Sequence, residues 1–166
     1  MEGVLIMRTA KEKYPTARYV KFERIVREKS EGGYYHIPEA IRSPQDAYDT
    51  IIELTDAERE TQEIFGVVSL NTKNKVLGCE VIHKGSVNAS IVHPRDVYKL
   101  ALLKGATSIM VFHNHPSGNP APSREDIDVT KRLVECGKLL GIELIDHIIV
   151  GDDGDYVSLR DKGYIG

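Results

Sequence analysis

The sequence holds 166 residues with 41% apolar and 28% charged side chains, the profile of one globular domain able to bury a core, which excludes disordered and fibrous classes. No apolar run approaches the roughly 18 residues of a membrane span, and Val4-Leu5-Ile6-Met7 is too short for a signal-peptide core, so no membrane partner is expected. Net charge is −3, but residues 8–29 carry eight basic and three acidic side chains, net +5, which leaves −8 for the remainder.

Residues 1–42 read as a basic, tyrosine-containing arm. Within it, 19–26 has strand composition and 31–33 reads as a turn, together suggesting a hairpin. Such an arm can contact DNA through residues 8–29, or can serve as a solvated face of an acidic body. Ser43 then opens a helix: it can cap, Pro44 suits the first helical position, and Asp46 completes a capping-box pattern. Ala47, Ile51 and Leu54 or Ile52 supply its apolar stripe. Strands are expected over 63–70 and 76–83, joined by a turn at 71–74. His93 and Pro94 start a second helix, with Val97, Leu100 and Ala101 on one face and Gly105 as its stop. A short apolar strand covers 107–112. The longest helix covers 123–140, with Ile127, Thr130, Val134 and Gly137 at helical spacing and Gly141 ending it. A buried strand follows over 144–150, and a last edge strand over 156–159. Helices and strands that interleave after a hairpin predict an α/β or α+β sandwich of helices on a mixed sheet. Cys79 reads as a small strand filler and Cys136 as helix core. Two cysteines in no CxxC pattern fit a reducing, cytoplasmic compartment.

The chemistry is concentrated between His113 and Asp126. His113 and His115 lie two apart at a strand end, so their side chains project to one side and can converge on a point. Neutral imidazole is a zinc ligand, and Asp126, in the first turn of the next helix, can fold back as an oxygen ligand. Two histidines and one carboxylate leave a fourth position for water, the pattern of a catalytic zinc. Each part also has a plainer reading. Strand-end histidines are often surface residues, and Ser123-x-x-Asp126 is a capping box in its own right. The joint spacing favours the metal.

That spacing, His-x-His, seven residues, Ser, two residues, Asp, resembles the JAMM (MPN+) metalloprotease motif. Asn114 departs from it, standing where deubiquitinating members carry Ser or Thr. His113-Asn114-His115-Pro116-Ser117-Gly118 is similar instead to the RadC branch, as are His93-Pro94-Arg95 and Leu144-Ile145-Asp146-His147-Ile148-Ile149-Val150-Gly151. The resemblance covers about residues 43–166. Residues 1–42 stand apart, so DNA binding by the helix-hairpin-helix region of longer RadC proteins does not carry over.

The resemblance implies a JAB/MPN, cytidine-deaminase-like sandwich with a curved mixed sheet. It also implies a metallopeptidase or isopeptidase with one Zn²⁺ per chain on His113, His115 and Asp126, acting on a peptide or protein. An upstream glutamate is required, and Gln62-Glu63-Ile64-Phe65-Gly66 looks like the family's Glu-x-x-Gly segment. Glu63 is thus the expected general base, with Glu60 and Glu58 as weaker candidates; from its residues alone Glu63 is a strand-start surface carboxylate. Ser123 is expected to donate to the oxyanion. Asp146 and His147 form either a support for a ligand through a hydrogen bond or a buried structural pair. His36 and His83 read as surface residues, and His93 as a neighbour of a helix cap.

Two rival readings stand beside the hydrolase: a DNA repair or recombination role through the basic arm, and a non-catalytic interaction module. Against the module, no member of the set Glu63, His113, His115, Ser123 and Asp126 is missing. A homo-oligomer is compatible with all three. Fold and site do not fix the substrate.

Overall fold

The computed structural model describes residues 33–85 and 92–166. The strand expected at 19–26 and the basic stretch 8–29 lie outside the described residues. The described elements are α1 (Pro44–Thr55), a single 3-10 turn (Ala57–Arg59), β1 (Ile64–Leu70), β2 (Val76–Lys84), α2 (Pro94–Lys104), β3 (Ser108–Asn114), α3 (Arg124–Leu140), β4 (Glu143–Val150) and β5 (Tyr156–Ser158).

The strands form one sheet in the order β2-β1-β3-β4-β5. Among the described strands only β3 and β4 run parallel, and the chain between them passes through α3, the crossover a parallel pair requires. The other neighbours are antiparallel, so this is the mixed sheet flanked by helices expected for a JAB/MPN-like fold. β1 and β3, in the middle of the sheet, are buried at every position, as strands covered on both faces must be.

Strand alternation splits the core into two layers. Phe65, Val67, Ile109 and Val111 meet Val97, Tyr98 and Leu133 from α2 and α3. Val68, Met110, Phe112 and Ile148 meet Ala47 and Ile51 from α1. The first layer is tight where the helices cross. Tyr98 OH donates to the Leu133 carbonyl at 2.8 Å, and a Cβ on Gly137 would lie 2.6 Å from that hydroxyl and 2.4 Å from the Ile142 carbonyl.

Both serine capping boxes form as the sequence suggests, Ser43 with Asp46 and Ser123 with Asp126. Gly105 and Gly141 end α2 and α3 in the left-handed conformation. The buried face of α3 differs from the expected stripe. It runs through Asp126, Val129, Thr130, Leu133 and Gly137, while Ile127 and Val134 are half-buried. Thr130 and Gly137 are buried as the stripe predicts, while Asp126, Val129 and Leu133 take the inward positions expected for Ile127 and Val134; polar partners on β3 and β4 receive Asp126 and Thr130. Cys136 packs half-buried against the first layer and Cys79 against the second. Burial pushes the Cys79 thiol up to about 12, which keeps it an inert filler. Among the described residues no helix is long and apolar enough to cross a membrane.

Candidate metal centre

β3 delivers the two histidines. Alternation sends His113 toward α3 and Asn114 to the opposite face, and His115 returns to the side of His113. The strand direction is held past its end because the His115 N–H donates to the Val150 carbonyl at 2.9 Å. The two Nε2 atoms lie 3.0 Å apart. A tight turn follows, closed by the Gly118 N–H on the His115 carbonyl at 2.9 Å. Gly118 has φ +79°, and a Cβ there would lie 2.4 Å from the Asp152 carboxylate, so the turn requires glycine.

α3 delivers the carboxylate. The Ser123 N–H and the Ser123 hydroxyl both donate to Asp126 Oδ2 at 2.7 Å, and the Asp126 N–H donates back to Ser123 Oγ at 3.1 Å. So held, Asp126 Oδ1 lies 3.2 Å from His113 Nε2, and Oδ2 lies 3.6 Å from His115 Nε2. The capping box and the approach to the histidines therefore coexist. Burial opposes ionisation of Asp126, but when the His113 or His115 imidazole carries a proton on Nε2 its hydrogen bond outweighs burial and holds the carboxyl far below the usual carboxylate range. In the other direction, the hydrogen bond with Asp126 raises the His115 imidazole against its partial burial.

The donor set fits a metal ion. His115 Nδ1 lies 2.8 Å from the Asn119 carbonyl, which can only accept, so Nδ1 carries the proton and Nε2 of the neutral ring is a bare acceptor. Around that nitrogen stand His113 Nε2 and two carboxylate oxygens. Acceptors gathered this closely need a cation or a proton among them. The Nε2–Nε2 spacing of 3.0 Å and the His113 Nε2–Asp126 Oδ1 spacing of 3.2 Å are close to the edge of about 3.3 Å of a tetrahedron with bonds of 2.0–2.1 Å, and Asp126 Oδ2 stands 3.6 Å from His115 Nε2.

Glu63 reaches the same centre from the position just before β1. Phe65 pairs with His113 in antiparallel register, so two residues back along the chain Glu63 comes opposite His115. Ligand atoms of Glu63, His113 and His115 all lie within 4.8 Å of one another. Glu58 and Glu60 have other partners: Glu58 accepts from Tyr48 OH and from the Gly154 N–H at 2.9 Å, and Glu60 pairs with Lys84 at 2.6 Å.

Asn114 is a site residue that the sequence marked as a departure from one motif and a match to the RadC-like segment, without giving it a role. Its Oδ1 accepts from the Ile64 N–H at 2.7 Å, and its Nδ2 faces the carbonyls of Glu60 and Gln62 at 3.2 and 3.3 Å. One buried amide thus clamps the backbone on both sides of Glu63. Asn114→Ala is expected to leave the Ile64 N–H without its acceptor and to cost about 1–3 kcal/mol by urea unfolding. Unchanged stability would mean the clamp holds nothing.

Asp146 and His147 separate to opposite faces of β4. Asp146 accepts from Ser158 Oγ at 2.7 Å and from the backbone N–H groups of His147 and Arg160 at 2.7 and 3.2 Å. It is a structural brace between β4 and the end of β5, and burial raises its carboxyl despite those hydrogen bonds. His147 instead places Nε2 at 2.8 Å from His113 Nδ1, and full burial lowers its imidazole well below the ordinary value. His93 is itself the N-cap residue of α2, with no side-chain cap bond. His36 is exposed and His83 half-buried. Beside His115 opens a cleft of about 320 Å³, lined by Glu58, Arg59, Thr61, Asn114, Pro116 and Asp152.

A mixed sheet with two histidines at the end of its central strand, met by an aspartate from the following helix and a glutamate just before the neighbouring strand, defines a JAB-type domain with a candidate metal site. Residues 41–164 match the family described as RadC-like JAB domain, and the chain belongs to that family. It is 56% identical over 125 residues to the UPF0758 protein of Geobacillus sp. (strain WCH70), covering 75% of this chain and 54% of that one. Identity to the UPF0758 protein of Bacillus mycoides (strain KBAB4) is 55% over 126 residues, 76% of this chain and 55% of that one. A UPF0758 protein of Geobacillus thermodenitrificans (strain NG80-2) is 53% identical over 125 residues, again 75% and 54% of the two chains. The chain spans about half the length of the curated relatives it matches.

Proposed function

We propose that this chain is a zinc-dependent hydrolase of the RadC/JAMM type, a metallopeptidase or isopeptidase acting on a peptide or protein. The observation that carries the reading is the convergence of two histidine Nε2 atoms and the Asp126 carboxylate, with Glu63 beside them, at the end of β3. His113, His115 and Asp126 are the residues that would hold one Zn²⁺, leaving a fourth position for solvent or substrate. Zinc, when bound, supplies Lewis acidity: it makes water acidic enough to ionise near neutral pH and polarises a carbonyl.

The remaining steps belong to the side chains. A Glu63 carboxylate oxygen takes the proton of the attacking water and passes it to the leaving nitrogen. The Ser123 hydroxyl donates to Asp126 Oδ2 in the resting structure. To serve the oxyanion it turns away from that oxygen, while the Ser123 N–H keeps Asp126 aimed. Such a donor is worth about 3 kcal/mol in comparable sites. The cleft beside His115 gives an extended substrate an open flank.

The test is a panel of peptides and isopeptide-linked proteins incubated with the zinc-loaded chain. Cleavage that a chelator abolishes and added zinc restores supports the reading; a folded, zinc-loaded chain that cleaves none of them contradicts the peptidase assignment.

Zinc binding is also expected to depend on pH. His115 must be unprotonated to act as a ligand, and Asp126 raises its pKa, so protons compete for Nε2 from higher pH than at an isolated histidine. Below that raised value, affinity is expected to fall about tenfold per pH unit, with a proton released on binding. Calorimetric titration in buffers of different ionisation enthalpy reads that proton. A flat affinity profile with no proton release would contradict His115 as a ligand.

A further inference from the structure

We propose that His147, held by Thr130, is a positioning residue that fixes His113 in the Nδ1–H tautomer and so presents its Nε2 lone pair to the metal centre. The proposal rests on the metal reading above and assigns a role to two residues outside the ligand set.

Thr130 Oγ1 lies 2.6 Å from the Asp126 backbone carbonyl and 2.6 Å from His147 Nδ1. A carbonyl can only accept, so the single hydroxyl proton of Thr130 points to Asp126. Thr130 Oγ1 is then an acceptor toward His147, and His147 Nδ1 must carry a proton. The other nitrogen of the neutral ring, Nε2, is bare and lies 2.8 Å from His113 Nδ1. His113 Nδ1 therefore donates. His113 Nε2 is left bare, 3.0 Å from His115 Nε2 and 3.2 Å from Asp126 Oδ1.

The relay starts at the backbone carbonyl of Asp126, runs through Thr130 and His147, and ends at His113, whose bare Nε2 faces the carboxylate of the same aspartate. It thereby ties together α3, β4 and β3, the three elements that meet at the site. No solvent competes, because Thr130, His113 and His147 are each 0% exposed. Phe65 fixes the ring planes, stacked on His113 at 6.1 Å and edge-on to His147 at 5.6 Å. An imidazole without such a partner exchanges between tautomers, and one of the two buries a proton where the ligand lone pair belongs. Partners of this kind fix ring orientation and tautomer at metal-bound histidines generally.

The test combines two readouts on the full chain. Ring-nitrogen NMR of the metal-free protein reports the tautomer of His113, and chelator competition reports zinc affinity. In the parent, His113 is expected to carry its proton on Nδ1. His147→Leu removes the acceptor and is expected to weaken zinc about 10–100-fold. His147→Gln supplies an amide oxygen near the place of Nε2 and is expected to restore affinity to within about threefold of the parent. Thr130→Val keeps the shape, removes the acceptor that orients His147, and is expected to give mixed His113 tautomers. If the leucine variant does not fold, the glutamine and valine variants carry the comparison.

A metal-free parent with His113 Nδ1 unprotonated would overturn the proposal. So would a folded leucine variant with parent affinity, glutamine and leucine variants weakened equally, or a valine variant whose His113 tautomer is unchanged. A parent that takes up no zinc defeats the metal reading instead, and the tautomer measurement still decides the relay.

Discussion

Glu63→Gln is expected to keep zinc at parent affinity and to lose amide hydrolysis by about 10²–10⁴-fold, the usual contribution of a positioned general base. The amide preserves the size of the side chain and a hydrogen-bonding oxygen but cannot take up the proton. The variant separates two roles that the geometry brings close together. Glu63 has a ligand atom within 4.8 Å of both histidines, near enough to enter the centre in place of Asp126. Asp126 presents two oxygens at 3.2 and 3.6 Å from the two Nε2 atoms, with its carboxylate already aimed by Ser123. Chelator competition beside kinetics decides between them. If the glutamine variant also loses its zinc, Glu63 is a ligand and the base must be sought elsewhere.

His113→Ala is expected to be zinc-free and also markedly less stable. The side chain is fully buried, so its removal leaves a cavity as well as an unpartnered His147 Nε2 in the interior. These two terms together amount to on the order of 3–5 kcal/mol. His115→Ala is the control. It removes the other histidine, whose side chain is 17% exposed and whose Nδ1 contacts a loop carbonyl, so it is expected to lose zinc with a much smaller loss of stability. Urea unfolding of the metal-free proteins reads the difference. Equal losses from the two variants would contradict both the cavity term and the value assigned to the buried contact of His113 with His147.

The parts of the site that the sequence made legible are those encoded over short distances. Strand alternation puts His113 and His115 on one side, and the capping box puts Ser123 and Asp126 at the start of α3; both are local rules needing no knowledge of the sheet. The interleaved α/β order was readable for the same reason. The partners made by pairing across the sheet were not. Asn114 contacts residues 50–54 positions away, and only the β1–β3 register makes it a clamp for Glu63. Glu63 itself has no local signal that separates it from an ordinary strand-start carboxylate, and the family pattern alone singled it out.

His147 was intermediate. A histidine in an apolar strand signals a buried polar group that needs a partner, but alternation alone cannot say that His147 meets His113 while Asp146 braces the far face. The buried face of α3 has the same origin. Helical spacing placed Thr130 and Gly137 inward correctly but favoured Ile127 and Val134 beside them, whereas polar partners on distant strands, His113 for Asp126 and His147 for Thr130, set which side turns inward.

The most direct test is the zinc content of the protein purified without chelator, measured beside Asp126→Ala. The account predicts about one zinc per chain in the parent and a sharp reduction in the variant. A folded parent that takes up no zinc, even with the metal added back, would contradict it.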